Sequence, residues 1–154
     1  MNTEVVKQRD LYDGLVEVEL RPIPRVGSSH LLGTIGSAEA LKHSVESEGD
    51  RSLPDDKSDR IAYLDKVFVE MHQREQHVGL NLVRGFLEVA AKNGVEAVYL
   101  VASNEDEFSD DMWIKLGNTK RQFRLVPFYE TLRFMCLPGE LRDNSPLMRC
   151  IIKR

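Results

Sequence analysis

The chain has 154 residues, 42% of them hydrophobic and 30% charged, with two cysteines and a formal net charge of −4. That length suits one compact domain, expected here over residues 1–154, and it can bury a core without disulfide or metal staples. The mild acidic balance gives no electrostatic ground for a nucleic-acid partner, no apolar run reaches the roughly 18 residues of a spanning helix, and no basic-then-apolar leader opens the chain, so a cytoplasmic protein without a membrane partner is expected.

Leu15–Ile23 (LVEVELRPI) alternates apolar and polar residues, the period of a half-buried strand, and Pro22 and Pro24 are expected to end it. A turn at Gly27, Ser28 and Ser29 leads to a second strand, His30–Ile35 (HLLGTI), and the two predict a hairpin. Ser37–Glu48 predicts a short helix with Ser37 as N-cap. The polar stretch Gly49–Arg60 predicts an exposed loop. Ala62–Met71 (AYLDKVFVEM) returns to strand character, with a bulge where the alternation slips.

Arg74–Asn93 carries the clearest helical pattern, with Val78, Leu82, Phe86, Val89 and Ala90 on one side and Gly94 at the C-terminal cap. Ala97–Ala102 (AVYLVA) reads as a fully buried strand, and strand–helix–strand with short links predicts a parallel pair. Glu105–Asp111 is acidic, either exposed or the start of a helix. Met112–Leu132 has helical stretches broken at Gly117 and Pro127, with Pro127 opening a short helix, Phe128–Leu132. Arg133–Leu137 and Leu147–Lys153 predict a closing pair of strands. Cys136 and Cys150 fall on that pair as buried thiols, a disulfide between them being the alternative. This order predicts an α/β chain with a mixed sheet. His30 and His43 are isolated, and His72 and His77 are five apart across a turn, so no metal site is expected.

The segment Arg74-Glu75-Gln76-His77-Val78-Gly79-Leu80 joins a strand to a helix. The first N–H groups of a helix have no carbonyl partners and its dipole is positive there, so such a turn suits a phosphate. Arg74 adds a charge-assisted contact, and Gly79 permits close approach of a ligand; alternatively Gly79 only lets helix and strand pack closely.

Taken with Phe128-Tyr129-Glu130-Thr131-Leu132-Arg133-Phe134, the segment AYLDKVFVEMHQREQHVGLNLV resembles the GNAT superfamily of acyl-CoA-dependent N-acyltransferases. Arg74 and Gly79 match the first and last positions of that family's Arg/Gln-x-x-Gly-x-Gly/Ala turn, and His77 stands at its first glycine. Phe128, Tyr129, Glu130, Leu132 and Phe134 fit the family's Phe-Tyr-Glu-Lys-x-Gly-Phe segment, with Thr131 and Arg133 replacing its Lys and Gly.

The resemblance implies a GNAT-like fold, with a mostly antiparallel central sheet, a parallel strand–helix–strand unit and flanking helices. It implies acetyl-CoA as co-substrate, its pyrophosphate held by Arg74 and by the backbone N–H groups of Gln76, His77, Val78, Gly79 and Leu80, and its pantetheine arm pairing with the main chain of Val67, Phe68 and Val69. Asn104 matches a family position near the cofactor, a plain turn residue being the alternative. Tyr129 matches the position that protonates the leaving thiolate, the alternative being a packed aromatic that only contacts the cofactor. For the base that takes the amine's proton, Asp65 and Glu70 lie on the adjacent strand, facing opposite sides if the strand is regular; each is otherwise a solvated carboxylate.

The expected activity is therefore acetyl transfer to a primary amine, on a small molecule or a protein, with dimerisation through the closing strands as a further expectation. Two alternatives stand beside it. One is a GNAT-like binding or regulatory module without catalysis, suggested by His77 and Arg133. The other is a tRNA-acetylating toxin, suggested by nine basic against three acidic residues from Lys115 onward, although the net charge of −4 opposes it.

Overall fold

The computed structural model describes residues 2–48, 52–55, 57–70, 77–103, 108–109, 125–141 and 145–152. Three consecutive antiparallel strands open the chain: β1 (Asn2–Asp10), β2 (Val16–Ile23) and β3 (His30–Ser37). Helix α1 (Ala38–Ser47) follows β3 directly, and the Ser37 hydroxyl caps it by accepting from the Ala40 N–H at 3.2 Å, as the sequence predicts. Strand β4 (Arg60–Glu70) runs antiparallel to β3, helix α2 (Val78–Lys92) crosses over, and β5 (Ala97–Val101) returns parallel to β4. β8 (Leu147–Ile151) pairs antiparallel with β5 and with the short β7 (Met135–Cys136). The strands run in the order β1-β2-β3-β4-β5-β8-β7, and β6 (Phe108–Ser109) pairs with β4 off this path. The predicted mixed α/β sheet with one parallel strand–helix–strand unit is the observed one.

Each face of the sheet buries its own cluster. On one, α2 sets Val78, Leu82, Val83, Phe86 and Ala90 against Leu20, Leu31, Leu64, Val67 and Val69. On the other, Leu41 and Val45 of α1 meet Leu15, Ile61, Tyr63, Tyr99 and Leu147. The alternation along β4 decides which residue goes where, and it breaks once. Leu32 of β3 faces Lys66, whereas Gly33 faces Leu64, so Asp65 is the extra residue of a β-bulge. Ala62 and Leu64 before the bulge, and Val67 and Val69 after it, all join the α2 cluster, an offset that a regular strand cannot produce.

Several boundaries differ from the sequence reading. β1 went unpredicted because it is an edge strand exposed along most of its length, with no buried face to impose alternation. Pro22 lies inside β2 rather than ending it. The last β2–β3 partners are Leu20 and Leu31, so Pro22 sits where the strand borders only β1, an edge-like position that proline tolerates. The described helix α2 starts at Val78, preceded by His77 in the left-handed conformation (φ 57°, ψ 34°), and the part of the expected helix over residues 74–76 lies outside the described residues. Residues 125–130 are helical, so Pro127 does not open that helix; Leu125 and Val126, both buried, are drawn into it first. The strand expected over Arg133–Leu137 shrinks to β7, since Arg133 is itself left-handed at φ 71°. Both cysteines are free thiols, and burial pushes the Cys150 thiol above its ordinary value.

Candidate active site

The site is built around the far half of β4. β4 pairs with β5 only over Ile61, Ala62 and Tyr63, ending at the rung where Tyr63 faces Tyr99. β5 then continues against β8 as far as Val101 and Leu147. Farther along β4, Val69 and Glu70 pair in parallel with Phe108 and Ser109 of β6. Between these two pairings, residues 64–68 of β4 are in register with neither β5 nor β6. A strand whose parallel neighbours change partway along it is a place where an extended ligand with amide groups can lie. Val67 and Phe68 lie on this stretch, and Val69 is already paired with Phe108. The Phe68 ring lies near His30, with ring centroids 5.8 Å apart, and the Lys66 ammonium stands 5.8 Å from the Phe68 centroid.

At the end of β4 stands the N-terminus of α2. Its first helical bond runs from the Asn81 N–H to the His77 carbonyl at 3.0 Å. The N–H groups of Val78, Gly79 and Leu80 precede it and have no carbonyl to reach within the helix. No acidic side chain occupies the first turn and no side chain caps it, so nothing on the helix itself competes with an anion. A Cβ on Gly79 would lie 3.4 Å from Val69 Cγ2 and 3.5 Å from Phe128 Cζ, which is ordinary contact on the buried side. Packing therefore does not require a glycine at this position, and its N–H is what Gly79 offers a ligand.

That contact joins the two sequence motifs. Phe128 belongs to the helical residues 125–130 and touches the place where α2 begins, although 49 residues separate it from Gly79 in the chain. Tyr129 is 1% exposed, its ring set edge-on to Phe128 and Phe134 with centroids at 5.1 and 5.8 Å. Its carbonyl accepts from the N–H groups of Leu132 and Phe134, and this double bond closes the turn that holds Arg133 at positive φ.

Asp65, at the bulge, is exposed and accepts from the Thr34 hydroxyl through Oδ2 at 2.8 Å. Thr34 went unnoticed in the sequence; the available signal was a lone hydroxyl in the otherwise apolar run HLLGTI. The condition for Asp65 and Glu70 to face opposite sides, a regular strand, is not met. Glu70 is described through its backbone pairing with Ser109. Arg74, Gln76 and Asn104 lie outside the described residues. Among the described residues no three His, Cys, Asp or Glu side chains could hold a metal ion, and no helix is long and apolar enough to cross a membrane.

The fold is similar to that of Arabidopsis thaliana NAA60, whose crystal structure is in complex with acetyl-CoA. The TM-score is 0.52 and the identity 16%, covering 89% of this chain and 76% of that one. No family model and no curated protein matches the sequence. The fold is thus the GNAT-like fold that the paired motifs imply, and at this identity the likeness is one of backbone.

Proposed function

We propose that this protein is an N-acetyltransferase that moves the acetyl group of acetyl-CoA to a primary amine by direct attack. The observation that carries this reading is that residues 64–68 of β4 are in register with neither β5 nor β6, close to an α2 N-terminus clear of acidic side chains. That stretch suits the amide-bearing pantetheine arm and the N-terminus suits the pyrophosphate. Val67 and Phe68 supply main-chain contacts, Val69 marks where the arm meets β6, and Val78, Gly79 and Leu80 supply N–H groups. In the same reading Arg74, Gln76, His77 and Asn104 contribute further cofactor contacts. A main-chain N–H on β4 polarises the thioester carbonyl. Asp65, exposed on that stretch, takes the proton that the attacking nitrogen loses, and Glu70 at the strand end is the alternative base. Tyr129 protonates the departing thiolate. The acceptor class is an amine on a small molecule or on a protein.

A second reading, a ligand-binding module without catalysis, is favoured by one observation: Tyr129 is 1% exposed, with its ring edge-on to Phe128 and Phe134. Amine-dependent release of CoA thiol from acetyl-CoA separates the two. The transferase reading expects turnover that falls about tenfold or more in Tyr129→Phe, the lower end of general-acid effects being larger still. Acetyl-CoA binding with no thiol release under any primary amine supports the second.

A further inference from the structure

Strand β4 has two faces, and towards its end α2 covers one of them. Val67 and Val69 point into the α2 cluster, so the alternation sends Lys66 and Phe68 to the opposite face. On that face the α1 cluster takes Ile61 and Tyr63 and includes neither of them. Phe68 is in register with His30 of β3, and Lys66 with Leu32; these side chains are half-buried. Both Lys66 and Phe68 belong to the residues of β4 that are in register with neither β5 nor β6. In the transferase reading the cofactor lies along these residues, α2 blocks one face, and an acceptor arrives past Lys66, Phe68 and His30.

This face holds a cation that has no carboxylate. The Lys66 ammonium stands 5.8 Å from the Phe68 centroid, and among the described residues it belongs to no ion pair. The ladder brings Glu19 into line with it, since Glu19 faces Leu32 and Leu32 faces Lys66. Glu19 is already held by Arg21 at 2.8 Å, and Glu17 by Arg9 at 3.1 Å. A ring face attracts an ammonium without occupying its N–H donors, so Lys66 keeps them for an anion. The ring itself is braced. His30 packs on Phe68 with centroids 5.8 Å apart, and its Nδ1 lies 2.7 Å from the Ser28 carbonyl oxygen. A carbonyl oxygen only accepts, so Nδ1 carries the hydrogen and the bond tethers the imidazole beside Phe68.

We propose that Lys66 selects acceptors that carry a carboxylate besides the reacting amine, that is, small amino acids; this rests on the transferase reading. The carboxylate sits on the Lys66 ammonium, the carbon chain lies along Phe68, and the amine at the other end faces the thioester. In the transfer the nitrogen–carbon bond forms at the thioester carbonyl and the carbon–sulfur bond breaks, its electron pair leaving on sulfur. The base takes the proton that nitrogen loses, and the thiolate takes up a proton. Lys66 binds the substrate and takes no part in these bond changes.

Thiol release from acetyl-CoA tests this with glycine, β-alanine and 4-aminobutyrate, each set against an alkylamine of matching shape that carries an isopropyl group in place of the carboxylate (isobutylamine, 3-methylbutylamine and 4-methylpentylamine). The best amino acid is expected to exceed its alkylamine about tenfold or more in kcat/KM, the scale of a hydrogen bond between charged groups. Lys66→Met keeps an apolar stem and deletes the charge. With melting curves to show that it is folded, it is expected to abolish the preference and leave KM for acetyl-CoA unchanged. Lys66→Arg retains most of the preference. A wild type that favours no amino acid over its alkylamine overturns the inference and leaves the transferase reading intact. So does a folded Lys66→Met that keeps the preference, or one whose loss lies in KM for acetyl-CoA and falls equally on both kinds of amine. Acetyl-CoA binding with no thiol release under any of these amines counts against the inference and the transferase reading together.

Discussion

His77 and Arg133 stand at the two positions where the GNAT motifs carry glycine, and both adopt positive φ, 57° and 71°. Their sequence identities looked like departures that put the site in doubt. The backbone conformation that glycine normally supplies is nevertheless present at each. At Arg133 the cause is local: the Tyr129 carbonyl collects the N–H groups of both Leu132 and Phe134, which forces the turn. At His77 the helix begins one residue later and the side chain is exposed. A side chain in the left-handed region costs roughly 1 kcal/mol relative to glycine, partly offset by the larger freedom of glycine in the unfolded chain. His77→Gly is therefore expected to raise the unfolding free energy by between zero and about 1 kcal/mol in urea titrations. A loss of stability would mean that the histidine makes a contact worth more than its strain.

At the scale of elements, the β3–β4 pair and α2 form one unit around the bulge. Gly33 is the partner of Leu64 just before the register shift, and a Cβ there would lie 2.3 Å from two atoms of the Phe86 ring. Phe86 is completely buried, so the ring has nowhere to retreat. Gly33→Ala is expected to destabilise the protein by about 1–3 kcal/mol, the usual range for overpacking, as a lower urea midpoint with unchanged slope. A neutral result would show that α2 can slide over β3.

What the sequence discloses at this scale follows from burial. α2 and β5 were legible because each has a dense apolar pattern whose period matches its geometry: a helical stripe for α2, and a continuous run for β5, which is covered on both faces. The break in alternation announced a bulge in β4, but only the partner register located it at Asp65. β1 has no such signal, being exposed along most of its length. The Thr34–Asp65 bond was illegible for a different reason. It links residues 31 apart in sequence, and nothing local to either one names the other.

For the whole molecule, the proposed function rests on where the strands of the sheet part. β4 and β5 share three rungs and then part, β5 staying with β8 while β4 goes on to pair with β6 at Val69 and Glu70. The α2 N-terminus and residues 125–130 close on the end of that opening, where Gly79 meets Val69 and Phe128. The turn and the Phe-Tyr-Glu segment were each modest signals in sequence, and the fold brings Gly79 of the one beside Phe128 of the other. The acceptor stayed unreadable because amine recognition depends on side chains of several elements converging from distant parts of the chain, which no single motif encodes.

The central claim, that this opening receives acetyl-CoA, is tested most directly by calorimetric titration of the purified chain with acetyl-CoA. The account predicts saturable one-to-one binding with a Kd on the order of micromolar, equivalent to about −8 kcal/mol. No heat of binding at millimolar acetyl-CoA, from protein shown to be folded, would contradict it.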